Sequence, residues 1–198
     1  MKTTIVLVRH GQTTWNKEHR FQGQTDVPLS EEGIRQAKLL AKKIKDFKIT
    51  KVCTSKLKRA YHTAEILTEN LNLAIEKIKD FNERNYGEYE GKLWNDIKDI
   101  YKENMEEFFE KTPKEGESQI NFRKRVIAAF NKIICRYKDE KVLMVCHGGV
   151  INILVNHLSN APEEELVGKR YPNTCVSIFH IEEGKVTEEI IADISHLA

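Results

Sequence analysis

Of the seven histidines in this sequence, two share a setting that the other five lack. His10 follows the apolar run Ile5-Val6-Leu7-Val8 and Arg9, and precedes Gly11. His147 follows Val142-Leu143-Met144-Val145-Cys146 and precedes Gly148-Gly149. Each run is short, continuously apolar and rich in β-branched residues, the pattern of a strand buried on both faces. In open α/β sheets ligands bind beyond the carboxyl ends of the strands, so neighbouring strands would present both histidines to one crevice. The glycines allow a sharp turn and a close backbone approach to a ligand. Arg9 adds a fixed cation whose planar fork suits two-point contact with phosphate. A lone histidine near a strand end is more often structural, and that reading is kept for His19, His62, His157, His180 and His196. For His10 and His147 the repeated arrangement outweighs it. Zinc on this pair is disfavoured: neither H-x-x-x-H nor H-x-x-E-H spacing occurs, and Arg9 would repel the cation.

The elements that must position these residues can be read from periodicity. Ile49 to Thr54 makes a third, weaker strand. Ser30 can cap a helix whose apolar residues Ile34, Ala37, Leu39, Leu40, Ala41 and Ile44 recur at helical spacing. Ala60 to Leu71, Trp94 to Phe109, Phe122 to Tyr137 and Val150 to Leu158 show the same spacing. Strands alternating with helices imply the α/β class, a three-layer α/β/α arrangement around a mostly parallel central sheet. Near the end the pattern changes. Cys175 to Ile181 and Val186 to Ile194 alternate around Glu182-Glu183-Gly184-Lys185, which predicts an antiparallel edge hairpin. Lys111 to Gln119 is polar and breaker-rich, a loop between helices. With no repeat and no linker, residues 1–198 are expected to form one domain.

Composition narrows the partners. Hydrophobic residues are 40% and charged residues 31%, as in ordinary soluble proteins. Lys plus Arg is 32 against 30 for Asp plus Glu, a net charge of +2. That balance argues against a nucleic-acid or anionic-membrane surface, so a cationic site must be local. Cys53, Cys135, Cys146 and Cys175 lie far apart beside apolar runs and are expected to be buried free thiols. The apolar run before Arg9 is only four residues, Ile5 to Val8, too short for a signal-peptide core or a membrane span, and a cytoplasmic location is expected.

Taken together, several blocks resemble the phosphoglycerate mutase-like histidine phosphatase superfamily. Leu7-Val8-Arg9-His10-Gly11-Gln12-Thr13 with Trp15-Asn16 is similar to its R-H-G signature. Phe21-Gln22-Gly23, Asp26, Pro28-Leu29-Ser30 and Gly33 look like its phosphate loop and first-helix entry. Thr54-Ser55-Lys56-Leu57-Lys58-Arg59-Ala60, with Thr63 beyond, resembles its S-x-L-x-R-A segment. Glu83, Gly87 and Glu90-Gly91 resemble its acid-bearing loop, and His147-Gly148-Gly149 its second histidine. These blocks occur in the family's order over nearly the whole chain.

The resemblance implies a phosphoglycerate mutase-like fold and a set of roles. His10 would be the nucleophile of a phosphohistidine intermediate, attacking as neutral imidazole, with Arg9 and Arg59 lowering its pKa by like-charge repulsion. Arg9, Arg59 and His147 would cage the phosphoryl oxygens, supported by Asn16, Gln22, Gly23 and Gly148. Glu83 would be the general acid and later the base that activates water. A bound phosphate dianion would favour its protonated form. The arginines would do the work of a metal, so no metal or organic cofactor is expected. Between Gly91 and Gly116 there is one proline, Pro113, and no arginine, unlike the longer mutases. That interval, the Lys114-Glu115-Gly116-Glu117-Ser118 loop with Arg125, and the absence of a long tail after the hairpin favour the shorter phosphatase branch. Arg84-Asn85-Tyr86-Gly87, in contrast, is similar to the mutases' E-R-x-Y-G stretch. A phosphatase acting on a small phosphorylated metabolite is therefore expected. A phosphoglycerate mutase is second and a non-catalytic phospho-ligand binder third, since both His10 and Glu83 are present. A homodimer is compatible with this architecture. Tyr86, Tyr89, Trp94, Tyr101, Phe108 and Phe109 could form a lid, but their helical spacing fits core better.

Overall fold

A computed structural model describes residues 2–100, 111–159 and 171–198. Six strands appear among the described residues: β1 (Lys2–Arg9), β2 (Lys51–Ser55), β3 (Ile75–Ile78), β4 (Lys141–Cys146), β5 (Val176–Glu182) and β6 (Lys185–Asp193). They form one sheet in the order β3-β2-β4-β1-β5-β6. β3, β2, β4 and β1 run parallel, whereas β5 and β6 are antiparallel to their neighbours and close one edge. The expected mostly parallel sheet with an edge hairpin is therefore the fold.

Alternation along β1 explains the layers, because successive side chains point to opposite faces. Ile5 and Leu7 pack with Val142 and Met144 of β4 against Val126, Phe130 and Ile133 of α5 (Gln119–Arg136). Ile151 and Leu154 of α6 (Gly148–Leu158) complete that core. Val6 and Val8 pack with Leu143 and Val145 against the opposite layer. There they meet Leu40 and Ile44 of α2 (Glu31–Ile44) and Ala60, Ala64 and Leu67 of α3 (Lys58–Thr68). Each fully buried aliphatic side chain contributes roughly 1.5–3 kcal/mol. Ser30 caps α2 by accepting from Gly33 N at 3.1 Å, and Ser118 caps α5 by accepting from Asn121 N at 3.2 Å. Two short helices, α1 (Thr14–Lys17) and α4 (Trp94–Ile100), flank the carboxyl end of the sheet's first strand and the acid loop.

The structure departs from the sequence reading at three places. β3 is an edge strand of four residues whose pattern, Ile-Glu-Lys-Ile, is too short and polar to register as one. It forms because β2 offers it a parallel ladder from Val52 to Ser55. β2 itself runs Lys51–Ser55, with Ile49 just before it still buried. Cys53, Cys146 and Cys175 are buried free thiols, but Cys135 is exposed. Its neighbour Ile133 faces the core, and two residues further along a helix the side chain points away. The helix expected from Trp94 to Phe109 is present over α4, and residues 101–109 of that expectation lie outside the described residues.

Candidate active site

Strand register brings the two histidines together. Arg9 pairs with Cys146 across the β1–β4 ladder, and His10 N donates to Cys146 O at 3.0 Å. The rings of His10 and His147 then lie 5.2 Å apart, tilted by 59°. Both are buried, at 3% and 0% exposure. Beyond His10 the chain crosses directly over the start of α2. A Cβ on Gly33 would lie 2.0 Å from Gln12 O, and one on Gly11 would lie 2.5 Å from Gly33 O. Glycine is required at both for this approach. Gly11 N donates to Thr63 Oγ1 on α3 at 3.0 Å, which ties the turn to the helix carrying Arg59.

The hydrogen bond from His10 decides its tautomer. Nδ1 lies 2.7 Å from Gly11 O, and a carbonyl can only accept, so Nδ1 carries the proton and Nε2 carries the lone pair. The His10 pKa is held well below the ordinary histidine value. Burial is the main cause, and the charges of Arg59 and Arg9 add to it. His147 is lowered in the same way by burial, Arg59, His10 and Arg9. The neutral imidazole expected of His10 is therefore favoured, with desolvation a larger cause than like-charge repulsion.

Both arginines are anchored by carbonyls. Arg59, 1% exposed, donates Nη1 to Thr25 O at 2.9 Å and Nη2 to Gly23 O at 2.6 Å. Arg9 donates Nη1 to Tyr171 O. In each guanidinium the Nε is buried without a hydrogen-bond partner, as is Nδ1 of His147. Burial pulls the Arg59 pKa down to about 10, against the opposing pull of Glu83 and Asp26, so it stays charged at neutral pH. Burial also lowers Arg9, with Cys175 and Glu83 opposing.

The Glu83 carboxylate sits at the amino end of α6. Gly149 N donates to its Oε2 at 3.0 Å and Arg84 N to its Oε1 at 2.9 Å. A helix amino terminus favours such an anion. Gly148, the first residue of that helix, passes beside the Arg9 guanidinium, since a Cβ there would lie 3.8 Å from Cζ. Asn16 reaches the same region through Asn173. Asn173 Nδ2 donates to His10 O at 3.0 Å and to Asn16 Oδ1 at 3.2 Å. Gln22 Oε1 accepts from Thr13 Oγ1 at 2.9 Å, and Gly23 contributes its carbonyl to Arg59. His10, Asn16, Gln22, Gly23, Arg59, Glu83 and His147 each have a hydrogen-bond partner at this end of the fold, and Gly148 passes beside Arg9.

Several residues around them had no assigned role in the sequence reading. Arg125 forks onto Glu117 at 2.7 and 2.8 Å. It also donates to the carbonyls of Asp80, Asn82 and Glu83 at 2.7, 2.8 and 3.0 Å. Glu90 holds the 22–25 turn by accepting from Gln24 N and Thr25 N, both at 2.9 Å, and from Tyr86 N at 3.1 Å. Ser55 and Asn82 lie behind His147. These bonds join segments distant in sequence, and only the acid-loop block hinted at them. Arg84 is 1% exposed and donates to Glu117 O and Lys111 O, each at 2.9 Å. Tyr89 packs with Phe21 and Ile97, and Tyr86 and Trp94 lie against that cluster, so these three aromatics are core. Tyr101, Phe108 and Phe109 lie outside the described residues. Three of the remaining histidines have structural partners. His180 bonds to Thr4 Oγ1 at 2.9 Å and His196 to Thr174 Oγ1 at 3.0 Å, while His157 meets Phe130 edge-on at 6.3 Å. Among the described residues no helix is long and apolar enough to cross a membrane.

A doubly covered, mostly parallel sheet with paired histidines beyond adjacent strand ends is the architecture of the phosphoglycerate mutase-like enzymes. The chain belongs to the histidine phosphatase superfamily (branch 1), whose family model matches residues 5–194. It is similar to the uncharacterized phosphatase PhoE of Bacillus subtilis (strain 168), 37% identical over 187 residues, covering 92% of this chain and 91% of that protein. It is also similar to the phosphoglycerate mutase of Schizosaccharomyces pombe, 31% identical over 200 residues, covering 94% and 95%. Among solved structures, Bacillus stearothermophilus YhfR superposes with a TM-score of 0.89 at 30% identity, covering 99% of this chain and all of that one.

Proposed function

We propose that this protein is a phosphomonoester hydrolase that cleaves a small phosphorylated metabolite through a phosphohistidine on His10. The observation that carries this reading is the His10 tautomer. Its Nδ1–H is committed to Gly11 O, so Nε2 carries the lone pair, in the field of Arg9 and Arg59, whose Nε groups are buried without partners.

In the proposed reaction Nε2 of His10 attacks phosphorus while the bond to the ester oxygen breaks. Charge builds on the phosphoryl oxygens during transfer, and Arg9, Arg59 and His147 stabilise it more in the transition state than in the ground state. Glu83 delivers a proton to the departing alkoxide, then takes one from the water that attacks the phosphohistidine. Holding the reacting groups rigidly supplies much of the acceleration, and carbonyl anchoring of both arginines serves that end. Hydrolysis is favoured over mutase activity because the interval from Gly91 to Gly116 carries one proline and no arginine, unlike the longer mutases. The phosphatase name of the Bacillus subtilis relative supports the same choice.

The test is turnover of p-nitrophenyl phosphate, with acid-labile label trapped on the protein after mixing with radiolabelled ester. Wild type should form the adduct and release phosphate, with activity surviving excess chelator, and His10→Ala should do neither. Undiminished turnover in His10→Ala would overturn the reading. Interconversion of 2- and 3-phosphoglycerate without net phosphate release would replace hydrolysis by mutase activity.

A further inference from the structure

Behind His147 lies a chain of hydrogen bonds whose directions can be assigned without ambiguity. Asn82 Oδ1 accepts from Lys56 N at 3.0 Å, and a backbone N–H can only donate, so the amide orientation of Asn82 is determined. The same Oδ1 lies 2.9 Å from Ser55 Oγ. An amide oxygen has no hydrogen, so the single hydroxyl proton of Ser55 must point to it. Leu57 N also donates to Ser55 Oγ, at 3.2 Å. Ser55 therefore has no proton left for His147, whose Nε2 lies 2.8 Å from Oγ. Nε2 must carry the hydrogen and donate it.

It follows that neutral His147 can bear no proton on Nδ1. That atom is buried, has no partner, and belongs to the histidine lying 5.2 Å from the His10 ring. A neutral His147 keeps that buried, unpartnered lone pair among cations that suit an anion. A phosphoryl oxygen meeting it would be repelled, whereas an imidazolium would donate to the same oxygen at hydrogen-bond distance.

We infer that Ser55 and Asn82 are positioning residues that lock the His147 tautomer, so that an anion can bind only as His147 takes up a proton on Nδ1. The proton comes from solvent, Nε2–H stays on Ser55, and no covalent bond other than Nδ1–H is made. This rests on the proposed phosphoryl site, but its evidence is read from a tautomer and not from turnover. The groups acting on His147 are Arg59 of α3, Arg9 and His10 at the end of β1, and Arg125 of α5, all of which oppose its protonation. Glu83 is the counter-charge, acting on both Arg9 and Arg59. The free site therefore keeps His147 neutral, and the arriving dianion supplies the field that charges it.

Sulfate is the probe, because its own charge is constant across the neutral range while its shape is that of phosphate. Nitrogen-15 spectra of histidine-labelled protein, assigned against His147→Gln, should show neutral His147 with its hydrogen on Nε2. Saturating sulfate should protonate both nitrogens. Sulfate affinity should weaken about tenfold per pH unit above neutrality, with uptake of about one proton by calorimetry in buffers of different ionisation heat. In Ser55→Ala the neutral ring is free to carry its proton on Nδ1, so the tautomer should switch and the pH slope flatten. Asn82→Ala should do the same by freeing the Ser55 hydroxyl to turn round, and Ser55→Thr should restore wild-type behaviour. Finding the Nδ1–H tautomer in free wild type, or sulfate binding without proton uptake at His147, would overturn the inference. Failure of the hydrolase assay with the tautomer intact would overturn only the proposed function.

Discussion

Gly149 offers a direct test of Glu83, because its lack of a side chain is what lets the carboxylate reach the helix. A Cβ at this position would lie 2.4 Å from Glu83 Oε1 and 3.1 Å from Phe122 Cε1. Ordinary van der Waals contact begins near 3.4 Å, so Gly149→Ala displaces the carboxylate by about 1 Å. The atom that must give way is the far end of a flexible side chain, so the backbone can stay in place. Alanine inside a helix gains roughly 0.5–1 kcal/mol over glycine. Against this, the 3.0 Å bond from Gly149 N to Oε2 is lost, at a cost of about 1.5–3 kcal/mol for a charged acceptor. Oε1, the oxygen that must move, also loosens from Arg84 N, so the net loss should be about 2–4 kcal/mol, which a folded chain can carry.

Activity should respond differently. A misplacement of about 1 Å can cost on the order of 100-fold, within the 10²–10⁴ that a general acid typically contributes. The assay compares kcat/KM for an alkyl phosphate with that for p-nitrophenyl phosphate, since kcat/KM reports formation of the phosphoenzyme. An alkoxide needs a proton to leave, whereas nitrophenolate leaves without one. Gly149→Ala should therefore lower the alkyl value about 100-fold and the aryl value only a few-fold, and Glu83→Gln should reproduce the pattern. An equal fall for both esters, or no fall for the alkyl ester, would remove Glu83 from the acid role.

Two other perturbations bear on the supporting structure. Arg125→Met removes a two-point ion pair whose partners are 19% and 17% exposed, together with donors to three carbonyls. Discounted for that exposure, the loss should be about 3 kcal/mol in urea unfolding, with kcat falling as the Glu83 loop loosens; a change under about 1 kcal/mol would contradict the clamp. The second concerns acid. His10 stays neutral in the fold well below the 6.5 at which an ordinary histidine titrates. The unfolded chain therefore binds more protons, and stability should fall as pH drops through that value, by up to about 1.4 kcal/mol per pH unit. His10→Ala should show a decline shallower by about one proton in urea midpoints between neutral and mildly acidic pH, and parallel curves would refute it.

What the sequence showed of this arrangement depended on how local each feature was. The buried runs at β1 and β4, the Ser30 cap and the Gly184 hairpin are local patterns, and each appears where expected. Arg9, His10 and His147 were legible because strand, histidine and glycine are contiguous. Arg59 and Glu83 lie on a helix and a loop with no distinguishing local chemistry, and only the resemblance separated them from Lys58 or Glu88. β3 was not legible, because its pairing with β2 outweighs a weak intrinsic pattern. Asn82 was silent, and Ser55, Glu117 and Arg125 stood out only as parts of family-like blocks, for a related reason. Their significance lies in hydrogen-bond direction between distant segments, which no periodicity encodes.

The anchoring of the two cations explains why so costly a site can exist in a folded chain. An arginine paired with a carboxylate would be cheaper to bury, but its charge would already be answered. Here the fixed bonds of Arg9 and Arg59 run to the carbonyls of Tyr171, Gly23 and Thr25, which orient the guanidinium groups and leave their net charge in place. The lowered pKa values of both record the desolvation this entails. Glu83 opposes that shift in both, yet its two carboxylate oxygens are held by the backbone of Arg84 and Gly149, so it balances the field without pairing to either cation. The result is a buried cluster with fixed positive charge, two imidazoles held toward the neutral form and unspent N–H donors. Such a cluster gains most from a ligand that brings compact negative charge. That complementarity, more than any single contact, is what a transferring phosphoryl group would draw on.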